Sequence, residues 1–183
     1  MDVILPKQVF LTRGHGQHRE KLVSFELALR EAGISPFNLV RVSSIFPPHC
    51  QVISRANGLR QLRAGQIVFL VMSENSTDEA HRLISSAIGL AIPEDPDQYG
   101  YLAEHEGFGE TEKEASLRAE ELAAEMLATK LGQDYSPKNF KRGKNNYYSL
   151  SDQLTVQTRS LSQIATGSKG LWTTTVAAAV LVT

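Results

Sequence analysis

The chain closes with LSDQLTVQTRSLSQIATGSKGLWTTTVAAAVLVT, residues 150–183. Rich in Val, Thr and Leu, this stretch reads as two successive strands. The second holds Ala177-Ala178-Ala179, small side chains that permit close packing. Two closing strands with no helix between them break the βαβα alternation of a doubly wound parallel sheet. The expected class is therefore α+β, one domain with helices laid over sheets.

Upstream, Thr111-x-x-Glu114 has the pattern of a capping box and predicts a long helix through Leu131, stopped at Gly132. Its apolar face is Ala115, Ala119, Leu122 and Met126. Tyr99 to Glu106 reads as a strand. Ser76-Thr77-Asp78-Glu79 is a second apparent capping box, predicting a helix with Ala80, Leu83, Ile84, Ala87 and Ile88 in a stripe, ended by Pro93. Gln66 to Met72 is continuously apolar, as in a strand buried on both faces. Residues 49–65 are ambiguous, with Asn57-Gly58 a hairpin turn signal. Glu20 to Ala32 predicts a helix with Leu22, Phe25, Leu29 and Ala32 on one face and Gly33 as its stop. Val3 to Leu11 reads as a strand bent at Pro6, followed by a loop carrying Gly14 and Gly16. Residues 133–148 read as a polar loop.

The totals narrow the function. With 183 residues, 42% of them hydrophobic, the chain can bury a core of one ordinary domain. A net charge of −1 supplies no field to recruit nucleic acid or an anionic membrane. The basic run Lys138 to Tyr148 is read as a solvated loop. Cys50 is the single cysteine, which excludes an internal disulfide and suits a reducing compartment. The N-terminus has no signal-peptide pattern, and the longest apolar run, Val176 to Val182, is too short to span a bilayer. A cytoplasmic protein is expected. His15 and His18 have a possible ligand spacing without a third ligand, so no metal is expected. Gly14-x-Gly16 lacks the Lys-Ser/Thr of a phosphate loop and the third glycine of a dinucleotide fingerprint.

Chemistry concentrates at NLVRVSSIFPP, residues 38–48. Val40, Val42 and Ile45 favour a strand, and Pro47-Pro48 ends it because neither proline donates a ladder hydrogen bond. Ser43-Ser44 thus sits where a strand, expected to be buried, runs out. This is either a plain strand exit or a reactive backbone. In the second case the Ser44 hydroxyl attacks the Ser43 carbonyl, and elimination leaves a pyruvoyl group at position 44. Such chemistry needs a nucleophile and oxyanion donors, and the Asn38 amide is a candidate donor. Glu104, beside Leu102 and Ala103, is a candidate general acid if burial raises its pKa. Glu26 lies next to the apolar helix face at Phe25 and Leu29. Taken singly, each of these has an ordinary reading as a solvent-exposed polar side chain.

Together, ALREAGI (28–34), NLVRVSSIFPP, SSAIGLAIP (85–93) and AEHEGFGETEKEA (103–115) resemble the pyruvoyl-dependent arginine decarboxylases, in the same order along most of the chain. The resemblance implies an αββα sandwich, assembled as trimers or pairs of trimers with sites between neighbouring subunits. It implies self-cleavage into a β chain 1–43 and an α chain 44–183, with a covalent pyruvoyl group from Ser44 and neither pyridoxal phosphate nor metal. Asn38 would assist cleavage and Glu104 would protonate the substrate carbon. Glu26 would hold the guanidinium, and Leu29, Ser43 and Ile45 would contact substrate. Arginine would form a Schiff base, lose CO2 and leave as agmatine. Family members carry aspartate at the position of Glu26, and the basic loop 134–148 is longer here.

Two other readings stand beside this one. The same chemistry could act on histidine or lysine, or the chain could be an unprocessed relative serving in binding or assembly.

Overall fold

The computed structural model describes residues 4–132, 141–142, 147–151 and 154–183. Their elements follow the order β1 (Gln8–His18), α1 (Lys21–Ala32), β2 (Asn38–Arg41), β3 (Ile45–Phe46), β4 (Gln51–Val52), α2 (Arg55–Leu59), β5 (Ile67–Thr77), β6 (Leu83–Pro93), β7 (Gly100–Phe108), α3 (Glu112–Lys130), β8 (Lys141–Arg142), β9 (Tyr147–Ser151), β10 (Leu154–Thr166) and β11 (Trp172–Val182). The strands form two sheets, ordered β2-β5-β11-β1-β4 and β3-β7-β6-β10-β9-β8.

Strand β11 shows how the layers are made. Its residues alternate in direction, as a pleated strand requires. Val176, Ala178, Val180 and Val182 join Ala28, Leu29 and Ala32 in the core under α1. Ala177, Ala179 and Leu181 turn the other way, against Phe46, Ile88, Leu90 and Leu102 of the second sheet. On the far side of that sheet, Ala87, Ala91, Ala103 and Val156 meet the alanine face of α3. The order α1, sheet, sheet, α3 is an α+β sandwich of four layers. Each fully buried Leu or Ile in these layers, such as Leu70, Ile88 or Leu127, contributes about 1.5–3 kcal/mol.

Glycines set how closely the helices approach. A Cβ on Gly14 would lie 2.3 Å from the Ala28 carbonyl oxygen, and one on Gly89 would lie 2.1 Å from that of Ala119. Both helices therefore rest with their backbones on strand glycines, which leaves no room for a side chain. This explains Gly14-x-Gly16: the segment is no loop, because β1 continues through it to His18 as an eleven-residue partner of β11.

Several expectations are corrected. The predicted helix over 76–92 is β6, preceded by the end of β5 and a connection in which His81 has φ 63°. The Thr77 hydroxyl accepts from the Glu79 N–H at 3.1 Å in a local turn, not a helix cap. Apolar residues at Leu83, Ile84, Ala87 and Ile88 fit a helix stripe, but a strand covered on both faces is equally apolar on every side. Asn57-Gly58 belongs to α2 and not to a hairpin. Ser54 caps α2 by accepting from the Asn57 N–H at 3.2 Å, and Gly58 clears the Phe10 ring. β2 is a largely exposed edge strand, parallel to β5 alone, so the expected burial before Ser43 is absent.

The long helix is α3, with the expected capping box at Thr111 and Glu114. Most of the basic loop 134–148 lies outside the described residues, although Lys141–Arg142 and Tyr147–Ser151 are strands where a loop was expected.

Candidate active site

The chain leaves the first sheet at Arg41 and enters the second at Ile45, so Ser43-Ser44 is the crossing between sheets. Each side is anchored. Before the pair, the Val42 N–H donates to the Leu70 carbonyl at 3.0 Å; after it, the Leu102 N–H donates to the Ser44 carbonyl at 2.8 Å. Between them the Ile45 N–H donates to the Ser43 carbonyl at 2.9 Å, closing a three-residue turn around Ser44. Ser43 is exposed and Ser44 partly so.

This anchoring brings Ser44 to β7. The Ser44 hydroxyl donates to Glu104 Oε2 at 3.3 Å. Glu104 follows Leu102 along one face of β7, but beyond the point where the intersheet core ends, so its side chain is exposed in the protomer. The partial burial expected from its neighbours is not found: Leu102 enters the intersheet core, and Ala103 faces α3.

Buried polar groups hold β7 in place here. The Ser73 hydroxyl, on β5, donates to the His105 carbonyl at 2.7 Å, and Asn75 Nδ2 donates to the Gly107 carbonyl at 3.0 Å. These bonds tie one sheet to the other beside Glu104. On the opposite face of β7, His105 Nε2 meets Glu110 at 2.9 Å, and the Ser85 hydroxyl donates to the same carboxylate. Sequence reasoning missed Ser73, Asn75 and Glu110, since nothing in a run of strand residues tells which polar side chain will cross between layers.

A cavity of about 360 Å³ adjoins the pair, lined chiefly by Leu5, Val42, Ile45, Pro47, Phe69 and Leu181, with Ser43 at its wall. Cys50 contributes no nucleophile, because burial pushes its thiol up to about 11.

The remaining candidates lie elsewhere in the protomer. The Asn38 amide donates to the Gly65 carbonyl at 2.7 Å, at the start of β2. Its Cα is about 13 Å from that of Val42 along extended chain, at some 3.3 Å per residue. Glu26 is on α1 and accepts from Arg30 Nε at 3.0 Å; Leu29 is buried under the same helix. Helix α1 packs on the outer face of the first sheet, the side away from the intersheet layer that Phe46 and Leu102 share. One protomer therefore unites Ser43, Ser44, Ile45 and Glu104, and keeps Asn38, Glu26 and Leu29 apart from them.

Among the described residues, no cluster of His, Cys, Asp and Glu is arranged to hold a metal ion. None of the helices among them is long and apolar enough to cross a membrane.

The profile of a family described as pyruvoyl-dependent arginine decarboxylase matches residues 8–183. The chain belongs to this family. Among its relatives, a protein of Chloroherpeton thalassium named "Probable pyruvoyl-dependent arginine decarboxylase" is 50% identical over 178 residues, covering 97% of each chain. One of Chlorobaculum tepidum with the same name is 49% identical over 177 residues, again 97% of each. A protein of Methanococcoides burtonii named "Pyruvoyl-dependent arginine decarboxylase" is 46% identical over 179 residues, covering 98% of this chain and 99% of its own. As a pyruvoyl-dependent decarboxylase, the chain needs a residue that can become the pyruvoyl group. Ser44 fits: its hydroxyl is one atom from the backbone, beside a carboxylate, with the preceding carbonyl already hydrogen-bonded.

Proposed function

We propose that this protein decarboxylates L-arginine to agmatine and CO2, using a pyruvoyl group made from Ser44 by cleavage of its own Ser43–Ser44 bond. The observation that carries the reading is the Ser44 hydroxyl hydrogen-bonded to Glu104 at the sheet crossing. A serine hydroxyl is a weak nucleophile until a base takes its proton, and Glu104 is the base within reach.

The pyruvoyl group supplies a carbonyl to capture the substrate's α-amine and a sink for the electrons left by CO2. The chain supplies the rest. Glu104 returns a proton to the substrate carbon from beside residue 44, which is why one carboxylate serves both stages. Glu26 takes the guanidinium, and its present bond to Arg30 is the same kind of pair made internally. Ile45 and the apolar cavity beside Ser43 exclude water from the reacting end.

Since α1 and the Ser44 turn lie on different sides of the first sheet, Glu26 reaches Ser44 and Glu104 from a neighbouring subunit, while Leu29 stays in the core of its own subunit and supports the helix from beneath. Trimers, or pairs of trimers, with sites between subunits satisfy this requirement. Assembly also covers Glu104, which is exposed in the isolated protomer.

The test is intact mass of purified protein, followed by arginine turnover without pyridoxal phosphate. Two fragments, 1–43 and a pyruvoyl-blocked 44–183, with release of agmatine and CO2, are expected. Fully cleaved protein that yields neither product from arginine would refute the substrate.

A further inference from the structure

The Ser43–Ser44 peptide already carries a hydrogen bond on the oxygen where charge would develop. Attack of Ser44 Oγ on the Ser43 carbonyl carbon pushes an electron pair onto the Ser43 oxygen. That oxygen accepts from the Ile45 N–H at 2.9 Å. We propose that the Ile45 backbone N–H is the oxyanion donor for self-cleavage, held on the scissile carbonyl by the turn around Ser44. The inference rests on the self-cleavage reading and gives that reading a catalytic group.

The turn is fixed from both ends. Leu102 N–H holds the Ser44 carbonyl at 2.8 Å, and Val42 N–H holds the Leu70 carbonyl at 3.0 Å. Ile45 is paired with Tyr101 in the second sheet, so its amide cannot drift from the turn without breaking that pairing. A donor fixed before reaction needs no reorganisation as charge appears. The bond exists in the ground state, so it accelerates cleavage only by the amount it strengthens when its acceptor becomes anionic, roughly a twofold gain in bond strength. Asn38 commits its amide to Gly65, and β2 separates it from the scissile carbonyl.

The steps balance. The Ser44 Oγ–H proton passes to Glu104 as the Oγ–C bond forms; the C–N bond then breaks and the proton is delivered to the departing Ser44 nitrogen, leaving an ester. Glu104, again a carboxylate, takes the Ser44 α-proton as the Cα=Cβ bond forms and the Cβ–O bond breaks, which releases Ser43 as a carboxylate. Water then displaces ammonia from the dehydroalanine at position 44.

The experiment replaces Ile45 by its α-hydroxy analogue, which exchanges the N–H for an oxygen, and follows fragment formation by intact mass with circular dichroism as the fold control. Cleavage should slow on the order of 100-fold. Unchanged cleavage in the folded hydroxy analogue overturns the assignment and leaves self-cleavage standing. An unaltered chain that never cleaves overturns self-cleavage itself. Hydrogen exchange in uncleavable Ser44→Ala protein tests the same bond without touching Ile45. A protected Ile45 amide supports the assignment, and exchange at the free-peptide rate refutes it.

Discussion

The Ser44 hydroxyl and the Glu104 carboxylate are separated by 60 residues of sequence and by 3.3 Å in space. The contact exists because β3 pairs with β7 immediately after the serine pair, placing Ile45 opposite Tyr101. Glu104→Gln keeps the shape and removes the base. Fragment formation and arginine turnover should both fall, turnover by about 10²–10⁴-fold as for loss of a general acid–base group. Time-resolved intact mass and a CO2-release assay on cleaved protein read the two losses separately. A Gln variant that cleaves and turns over normally would remove Glu104 from the chemistry.

Glu26 makes a different prediction, because its proposed role is in binding. Glu26→Gln should raise KM for arginine by tenfold or more, in line with about 1.5–3 kcal/mol for a charged hydrogen bond. Self-cleavage should proceed unchanged, since Glu26 sits on α1 and its partner is Arg30. Steady-state kinetics beside intact mass distinguish this from a general loss of fold. An unaltered KM would place the guanidinium elsewhere.

The glycine contacts predict destabilisation without any change at the site. Gly14→Ala and Gly89→Ala each push a methyl group into a helix backbone, 2.3 Å and 2.1 Å from a carbonyl oxygen. Overpacking of this kind costs about 1–3 kcal/mol. Thermal unfolding of uncleavable Ser44→Ala protein should show a lowered Tm for each. The two losses should add, since the sites lie on opposite outer faces of the sandwich.

The α3 capping box gives a pH signature. Hydrogen bonds from the Thr111 backbone N–H and hydroxyl hold the Glu114 carboxyl below its ordinary value of 4.5. A carboxyl depressed in the folded state binds fewer protons there than in the unfolded chain. Its contribution is therefore present above about 4.5 and is lost as pH falls through the lower folded value. Glu114→Gln can still accept from Thr111 but does not titrate. Urea midpoints between pH 3 and pH 6 should thus vary less steeply in the variant, and identical slopes would refute the assignment.

Much of this architecture was readable in advance. The capping box at Thr111, the Gly33 stop and the closing strands are local signals, and each element forms where its own residues favour it. β6 was not readable, because Leu83, Ile84, Ala87 and Ile88 are apolar on both faces of a strand sandwiched between a sheet and α3. Period then carries no information. Ser43, Ser44 and Glu104 could be picked out by motif, and the structure brings them together. The sheet-crossing bonds of Ser73 and Asn75, and the turn bond of Ile45, depend on distant backbone arriving alongside, which no local pattern encodes.

The position of the crossing dictates how the protein would come apart once cut by the proposed self-cleavage. Residues 1–43 contain β1, which lies between β11 and β4 and pairs with β11 over eleven positions, and β2, which pairs with β5. Cutting at Ser43 leaves both pieces interleaved in one sheet, so nothing is released. What changes is the molecularity of unfolding. An uncut subunit unfolds as one chain, whereas a cut subunit would also lose a strand-bearing peptide to solution, so its midpoint should rise more steeply with protein concentration. Dilution would thus act as a stronger denaturant on the cut protein than on the uncut one.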